Sequence, residues 1–157
     1  MPIDPRSPVV VGVGQTSQRV PAEAAKPPIE LLEDAARKAE ADAGAALLAQ
    51  TDIVAVVMIV SWPYPDPGAL LARRLGITPR TTAVSTVGGK SPPLPVSEFA
   101  ERIHRGECDV VLIGGAESMY TRWRARREPR YELTWDSGGD EPCPWVIGDG
   151  RPGPVWR

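Results

Sequence analysis

TAVSTVGGKSPPLPVSEFAERIHRGECDVVLIGGAESM, residues 82–119, decides the architecture. Thr81–Val87 is a β-branched, apolar run and reads as a strand. Gly88-Gly89-Lys90-Ser91 follows as a turn. Val96, Phe99, Ala100 and Ile103 then recur at three- and four-residue steps and predict one face of a helix. Leu94 precedes a proline, which biases it away from helical geometry, so the helix is expected to begin near Pro95. Ser91 is placed to cap it. Asp109–Gly114 is a second apolar strand, ending in Gly114-Gly115-Ala116-Glu117-Ser118-Met119. Strand, helix and strand with short connections predict a parallel pairing.

Upstream, the same alternation repeats. Pro8–Gly14 (PVVVGVG) is β-branched and closed by glycine, and reads as a strand buried on both faces. Ile29–Leu48 reads as a helix with an apolar stripe of Ile29, Leu32, Ala36, Ala39 and Ala43. Glu33 with Arg37 and Asp34 with Lys38 are oppositely charged pairs on its other side, and Gly44 weakens its end. Thr51–Val60 is almost wholly apolar and predicts a central strand. Asp66, Pro67 and Gly76 mark the cap, first turn and left-handed end of a helix whose core contacts are Leu70, Leu71 and Leu75. The whole predicts an α/β fold with a mostly parallel mixed sheet and flanking helices. Past Glu128 proline and glycine become dense and periodicity disappears. We divide the chain into an α/β domain, 1–128, and an irregular, truncated loop-region tail, 129–157. Trp135, Trp145 and Trp156 lie in that tail and are expected at a surface that meets a partner or more chain.

The 157 residues suffice for one domain with a core, and the formal net charge is -2. That balance argues against nucleic-acid binding. The basic run Arg122-Trp123-Arg124-Ala125-Arg126-Arg127 reads as a solvated helix face or as a contact to an anion. The two cysteines, Cys108 and Cys143, make neither a disulfide framework nor a metal motif, so a reducing, cytoplasmic setting is expected. No signal peptide is expected at the N-terminus, and the longest apolar run, Ile53–Val60, is too short to span a membrane.

Several motifs fall short of the chemistry they suggest. Gly12-Val13-Gly14 lacks the third glycine of a dinucleotide fingerprint, since position 17 is Ser17, and prolines follow where a helix should begin. Gly89-Lys90-Ser91 resembles the end of a phosphate-binding loop, but Val84 stands where its first glycine belongs. Pro92, Pro93 and Pro95 also remove amide donors. His104 is the only histidine and sits at a helix end, a capping or exposed position with no second histidine to form a relay. Cys108 reads as a small buried thiol and Cys143 has no base beside it.

Taken together, Gly12-Val13-Gly14-Gln15-Thr16 and Arg105–Met119 resemble the first strand and the helix–turn–strand of the thiolase superfamily. The branch is the acetyl-CoA acetyltransferase-like and sterol-carrier-protein-thiolase-like one, and the similarity runs from Val9 to Arg127. The resemblance implies the N-terminal half of a thiolase-like fold, acyl transfer on CoA thioesters, and no bound cofactor. Counting back from Gly106 places the family's nucleophilic cysteine on Gly89. Gly88, Gly89, Lys90 and Ser91 become the candidate substrate-binding turn, with no catalytic residue. Ser91 is a poor substitute nucleophile, since no base stands near it. The family's second half carries its histidine base, second cysteine and part of the oxyanion hole, and this chain has no Gly-His-Pro or Cys-Gly-Gly-Gly stretch. The resemblance also implies a homo- or hetero-oligomer through Thr81–Val87, with acyl-CoA or another thioester as the small partner.

Three functional expectations follow. One is a thiolase-like acyltransferase fragment that is inactive alone. The second is a non-catalytic pairing subunit of a thiolase-like complex in lipid or sterol metabolism. The third is a truncated product without function. A nucleotide-hydrolysing enzyme built on the partial phosphate loop is the remote fourth.

Overall fold

A computed structural model of the chain describes residues 4–90, 92–127 and 131–151. Its sheet has four strands, β1 (Ile53–Val56), β2 (Thr81–Ser85), β3 (Val111–Gly114) and β4 (Val146–Ile147), in the spatial order β3-β1-β2-β4. All three pairings are parallel. Ile53 lies opposite both Thr81 and Val111, so the three longer strands start level. The connecting helices are α1 (Pro28–Ala43), α2 (Pro67–Leu75), α3 (Pro93–His104) and α4 (Met119–Arg127).

Side-chain alternation along β1 divides the core in two. Val54 and Val56 point to one face, against Ile29 and Leu32 of α1 and Leu70 and Leu71 of α2. Ile53 and Ala55 point to the other, against Ala83, Phe99 of α3, Cys108, Trp145 and Ile147. Every residue of β1 is buried, as its unbroken apolar run requires of a strand covered on both faces.

Local signals set the ends of α2 and α1. The Asp66 carboxylate accepts from the Ala69 amide at 2.9 Å, and Gly76 closes α2 in the left-handed region at φ 74°. Gly44, at φ 66°, does more than weaken the first helix. It ends it five residues before Leu48, and Leu48–Gln50 is a separate 3-10 turn. The Glu33–Arg37 pair forms, with Arg74 as a third member. The Asp34–Lys38 pair does not. Asp34 meets Lys26 instead, and Lys38 reaches the Gln15 carbonyl.

The N-terminal strand is a correction. Pro8–Gly14 forms no regular element and pairs with no strand among the described residues, and Val9, Val10, Val11 and Val13 are 73, 80, 57 and 67 % exposed. A strand is a paired object, and β-branched composition supplies no partner. What holds the segment is α1. The Val13 amide donates to Asp42, and a Cβ at Gly12 or Gly14 would run into the Ala39 or Ala35 carbonyl oxygen. These glycines serve close approach to a helix backbone rather than a phosphate. Gly14→Ala should therefore lift the segment off α1 and cost about 1–3 kcal/mol, read as a lower urea midpoint. An unchanged midpoint would show that the segment is not seated there.

The tail is likewise more ordered in its packing than its composition suggests. Val84 donates to the Trp145 carbonyl and Thr86 to that of Ile147, which adds β4 to the sheet. Trp145 is 5 % exposed, edge-on to Phe99 at 5.2 Å. Trp135 packs edge-on against Trp62 at 5.1 Å. Two of the three tail tryptophans thus cover this chain's own body, and Trp156 lies outside the described residues.

Asp52 ties the start of the sheet together. Its carboxylate accepts from the Asp109 and Val110 amides at 2.8 and 3.2 Å and pairs with Arg80 at 2.7 Å. Burial pushes this carboxyl up, but the two amides and the guanidinium outweigh it and hold it below the usual carboxylate range. A folded-state value below the unfolded one contributes stability above about pH 4, lost as pH falls through the folded value. Asp52→Asn should flatten that acid limb of the stability–pH curve. Parallel curves for the two proteins would remove Asp52 from the account.

Candidate functional site

Because the strands are parallel, Val56, Ser85 and Gly114 end on one rim of the sheet, where an open α/β sheet carries its ligand sites. The turn after β2 brings Gly88, Gly89 and Lys90 there, all exposed. Ser91, the fourth candidate, lies outside the described residues. A Cβ placed on Gly89 would meet no heavy atom within 4 Å, and its backbone is outside the left-handed region. The position is open and would accept a side chain. Gly148, just past β4, lies over the same junction, beside Thr86 and Leu94.

The helix after this turn starts earlier than expected. Pro93 and Leu94 are already helical, and Pro92 precedes them with helical dihedrals and no side-chain cap bond. The bias against helix before Pro95 is overridden because Pro95 itself packs into the core, almost fully buried. The buried residues of α3 are Pro95, Phe99 and Arg102, whereas Val96 is 51 % exposed. The face is turned by one residue from the apolar reading, and Arg102 was not anticipated as part of it.

None of the other nucleophile or base candidates reaches this rim. His104 sits exposed in the last turn of α3, the far end of a 12-residue helix about 18 Å long. Cys108 precedes β3 and so belongs to the opposite rim. Burial pushes its thiol up to about 11, with Asp52 adding to the effect. Cys143 is buried beside Thr82, its thiol hydrogen-bonded to the Trp145 carbonyl at 3.5 Å. Burial raises its pKa as well. Among the described residues no cluster of histidine, cysteine and acidic side chains is arranged to hold a metal ion. No helix among them is long and apolar enough to cross a membrane.

The Gly-Gly-x-Glu-Ser segment after β3 has a role that spacing alone did not show. Leu32 and Val57 occupy the space a Cβ would need at Gly114 and Gly115. Glu117 accepts from the Val60 and Ser61 amides at 2.8 and 2.9 Å, and the Ser118 amide donates to Ser61 Oγ at 2.9 Å. Arg122 then reaches the Val60 carbonyl at 3.0 Å. The segment therefore clamps the loop after β1. Glu117→Ala should leave two amides unpaired and cost about 2 kcal/mol, with faster hydrogen exchange confined to 57–61. Unchanged exchange there would refute the clamp.

On α4 the basic run is a helix face, as charge patterning suggests. Thr121 and Ala125 are its buried positions. Tyr120 and Trp123 stack at 6.1 Å, and the Arg127 guanidinium lies 4.1 Å over the Trp123 ring.

No protein-family model and no curated protein matches the chain. Among solved structures it is similar to a monomeric SCP2-thiolase-like protein type 1 from Mycobacterium smegmatis. The identity is 36 % and the TM-score 0.64, over 73 % of this chain and 24 % of that one. The chain thus spans about a quarter of that relative's length. The parallel α/β core, the order of its elements and this similarity agree: the chain has a thiolase-like fold.

Proposed function

We propose that the chain carries the scaffold of a thiolase-like acyl-CoA acyltransferase of the acetyl-CoA acetyltransferase type, without its attacking group, and is catalytically silent on its own in a cytoplasmic setting. The observation that carries this reading is Gly89, open and side-chainless at the rim. Both cysteines are buried and the histidine stands at the other end of α3. The turn Gly88–Ser91 would still meet a thioester substrate, and no further cofactor is needed. The test is CoA release from acyl-CoA thioesters by the purified chain. No release above buffer is expected. Turnover that survives the double change Cys108→Ala/Cys143→Ala would overturn the reading.

A second reading is a non-catalytic pairing subunit of a thiolase-like complex in lipid or sterol metabolism. The strand expected to pair, Thr81–Val87, has its outer edge covered by β4 at Val84–Ser85. Pairing there would require β4 to leave. The sheet's two edges are β3 and the two-residue β4, and the longer edge, β3, is what supports this reading. Sedimentation of the chain with and without a candidate partner tests it, and a strict monomer throughout counts against it.

A further inference from the structure

The charge of the chain reverses within residues 119–142. Helix α4, Met119–Arg127, carries four arginines and no acidic side chain. Residues 131–142 carry four acidic side chains, Glu132, Asp136, Asp140 and Glu141, and no lysine or arginine. The whole chain has a formal net charge of only -2, so the contrast is local.

Both patches face solvent. Thr121 and Ala125 turn one side of α4 to the body. The helical repeat then points Met119, Trp123, Arg126 and Arg127 outward. Met119, Tyr120 and Trp123 are 52, 59 and 50 % exposed. Arg126 and Arg127 are exposed, and neither enters an ion pair among the described residues. The four carboxylates of 131–142 are exposed too, and none of them enters an ion pair among the described residues. Asp136 caps the Gly138 amide at 2.8 Å. Charges of opposite sign thus go unused on two patches of one chain.

The fold sets the two patches on one support, the loop after β1. At its start, Arg122 of α4 donates to the Val60 carbonyl and the Ser118 amide to Ser61 Oγ. At its end, Trp62 meets Trp135 edge-on and the Cys143 amide donates to the Pro65 carbonyl at 3.0 Å. The basic helix and the acidic segment therefore lie beside each other along this loop.

We propose that these patches join two copies of this chain, α4 of each lying against residues 131–142 of the other. Arg126 and Arg127 meet the carboxylates of Asp140 and Glu141, and Trp123 lies over the exposed Pro142. The outward face of α4 is made of methionine, tyrosine, tryptophan and arginine, the residue types enriched at interface cores, and holds no lysine. Tyr120 and Trp123 are already stacked, with Arg127 over the second ring, so little side-chain freedom is lost on contact. The occupant follows from the charges present. A nucleic acid or an acidic bilayer meeting α4 would be repelled by the carboxylates beside it. A second copy offers four carboxylates to four guanidiniums. A two-fold axis across the loop after β1 forms both contacts at once, since in an isologous interface each patch meets its unlike neighbour on the other copy.

Sedimentation of the full chain at about 0.1 mM, in about 20 mM and about 500 mM salt, tests this. A dimer is expected at low salt and a monomer at high salt, because exposed charges are screened. Arg126→Glu/Arg127→Glu should weaken the dimer by about a hundredfold or more, and so should Asp140→Lys/Glu141→Lys, since each sets like charges opposite each other in both contacts. All four positions are exposed, which leaves the fold intact. An equimolar mixture of the two variants should form a heterodimer, because both contacts are then oppositely charged again. The variant with all four changes should dimerise with itself. Its net charge is still -2, so recovery there reports the placement of the charges and not their sum. Trp123→Ala should weaken the parent dimer by about tenfold or more. A monomer at low salt overturns the proposal. A dimer that survives both reversals forms elsewhere and overturns it too, as do reversals that neither the mixture nor the fourfold variant repairs. The inference goes beyond the proposed function and uses neither the turn Gly88–Ser91 nor the β3 edge, so the CoA-release result leaves it unaffected.

Discussion

Gly89→Cys turns a chain whose native thiols are unreactive into one with a single accessible thiol. In the parent protein Cys108 and Cys143 are both buried and both raised in pKa by that burial. Labelling them by a small disulfide reagent requires opening of the core. With a typical stability of at least ~5 kcal/mol, opening slows the reaction by roughly a thousandfold or more. The introduced side chain meets no such barrier, because nothing stands within 4 Å of its Cβ. The expected result is one rapidly titrated thiol per chain and a stability within about 0.5 kcal/mol of the parent.

The thiol should titrate near the ordinary value of about 8.5. The helical residues of α3 begin only at Pro93, and the dipole's influence falls off within the first turn. With an acyl-CoA thioester the introduced thiolate would bond to the acyl carbon while the CoA sulfur leaves with the electron pair. One equivalent of CoA should appear, with no turnover beyond it, since His104 is a helix length away. A native-state thiol that labels as slowly as the buried pair would show that position 89 is closed, and would remove the main support for the proposed function.

Arg102→Ala is the largest expected loss of stability. Arg102 is 5 % exposed, in the middle of an otherwise apolar contact between α3 and the tail. Its guanidinium donates to Glu98 and Glu107, each at 2.8 Å, and lies 4.5 Å from the centre of the Trp145 ring. Through it the helix, the turn before β3 and the strand β4 are joined. Truncation removes both ion pairs, the ring contact and the packed stem together. The two glutamates are a third and a fifth exposed and keep some access to water. This moderates the usual penalty for breaking a buried pair, and the cost should be about 2–3 kcal/mol. Arg102→Met retains the stem and should recover part of it. Urea midpoints of the three proteins decide the matter. A shift under about 0.5 kcal/mol for the alanine variant would mean that β4 is held by Phe99 and the backbone pairing alone.

The order and type of the elements between Pro28 and Gly114 were legible in the sequence because they follow from local causes. Apolar runs bounded by turn residues, the Asp66 cap and the left-handed glycines act within a few residues of themselves. The same holds for the direction of pairing, since a strand–helix–strand unit with short connections returns parallel. The candidate site was legible in part: counting along the chain placed Gly88, Gly89 and Lys90 on a turn, and that turn lies on the carboxyl rim of the sheet.

What local patterns left undetermined is everything that depends on a distant neighbour. Pro8–Gly14 has the composition of a buried strand, yet pairing is a property of two segments, and α1 rather than a strand receives it. Val146–Ile147 carries almost no signal of its own and becomes a strand because the outer edge of β2 accepts it. Arg102 reads as a surface residue until Glu98, Glu107 and Trp145 surround it. Glu117 reads as part of a motif until Val60 and Ser61 turn their amides toward it. The sequence alone determined the strands and helices around Thr51–Gly114 and put a glycine-rich turn after Thr81–Val87. Only the tertiary structure decided which edges are covered, which charges are buried and which candidates share a rim, because burial and pairing are set by contacts between residues far apart in the chain.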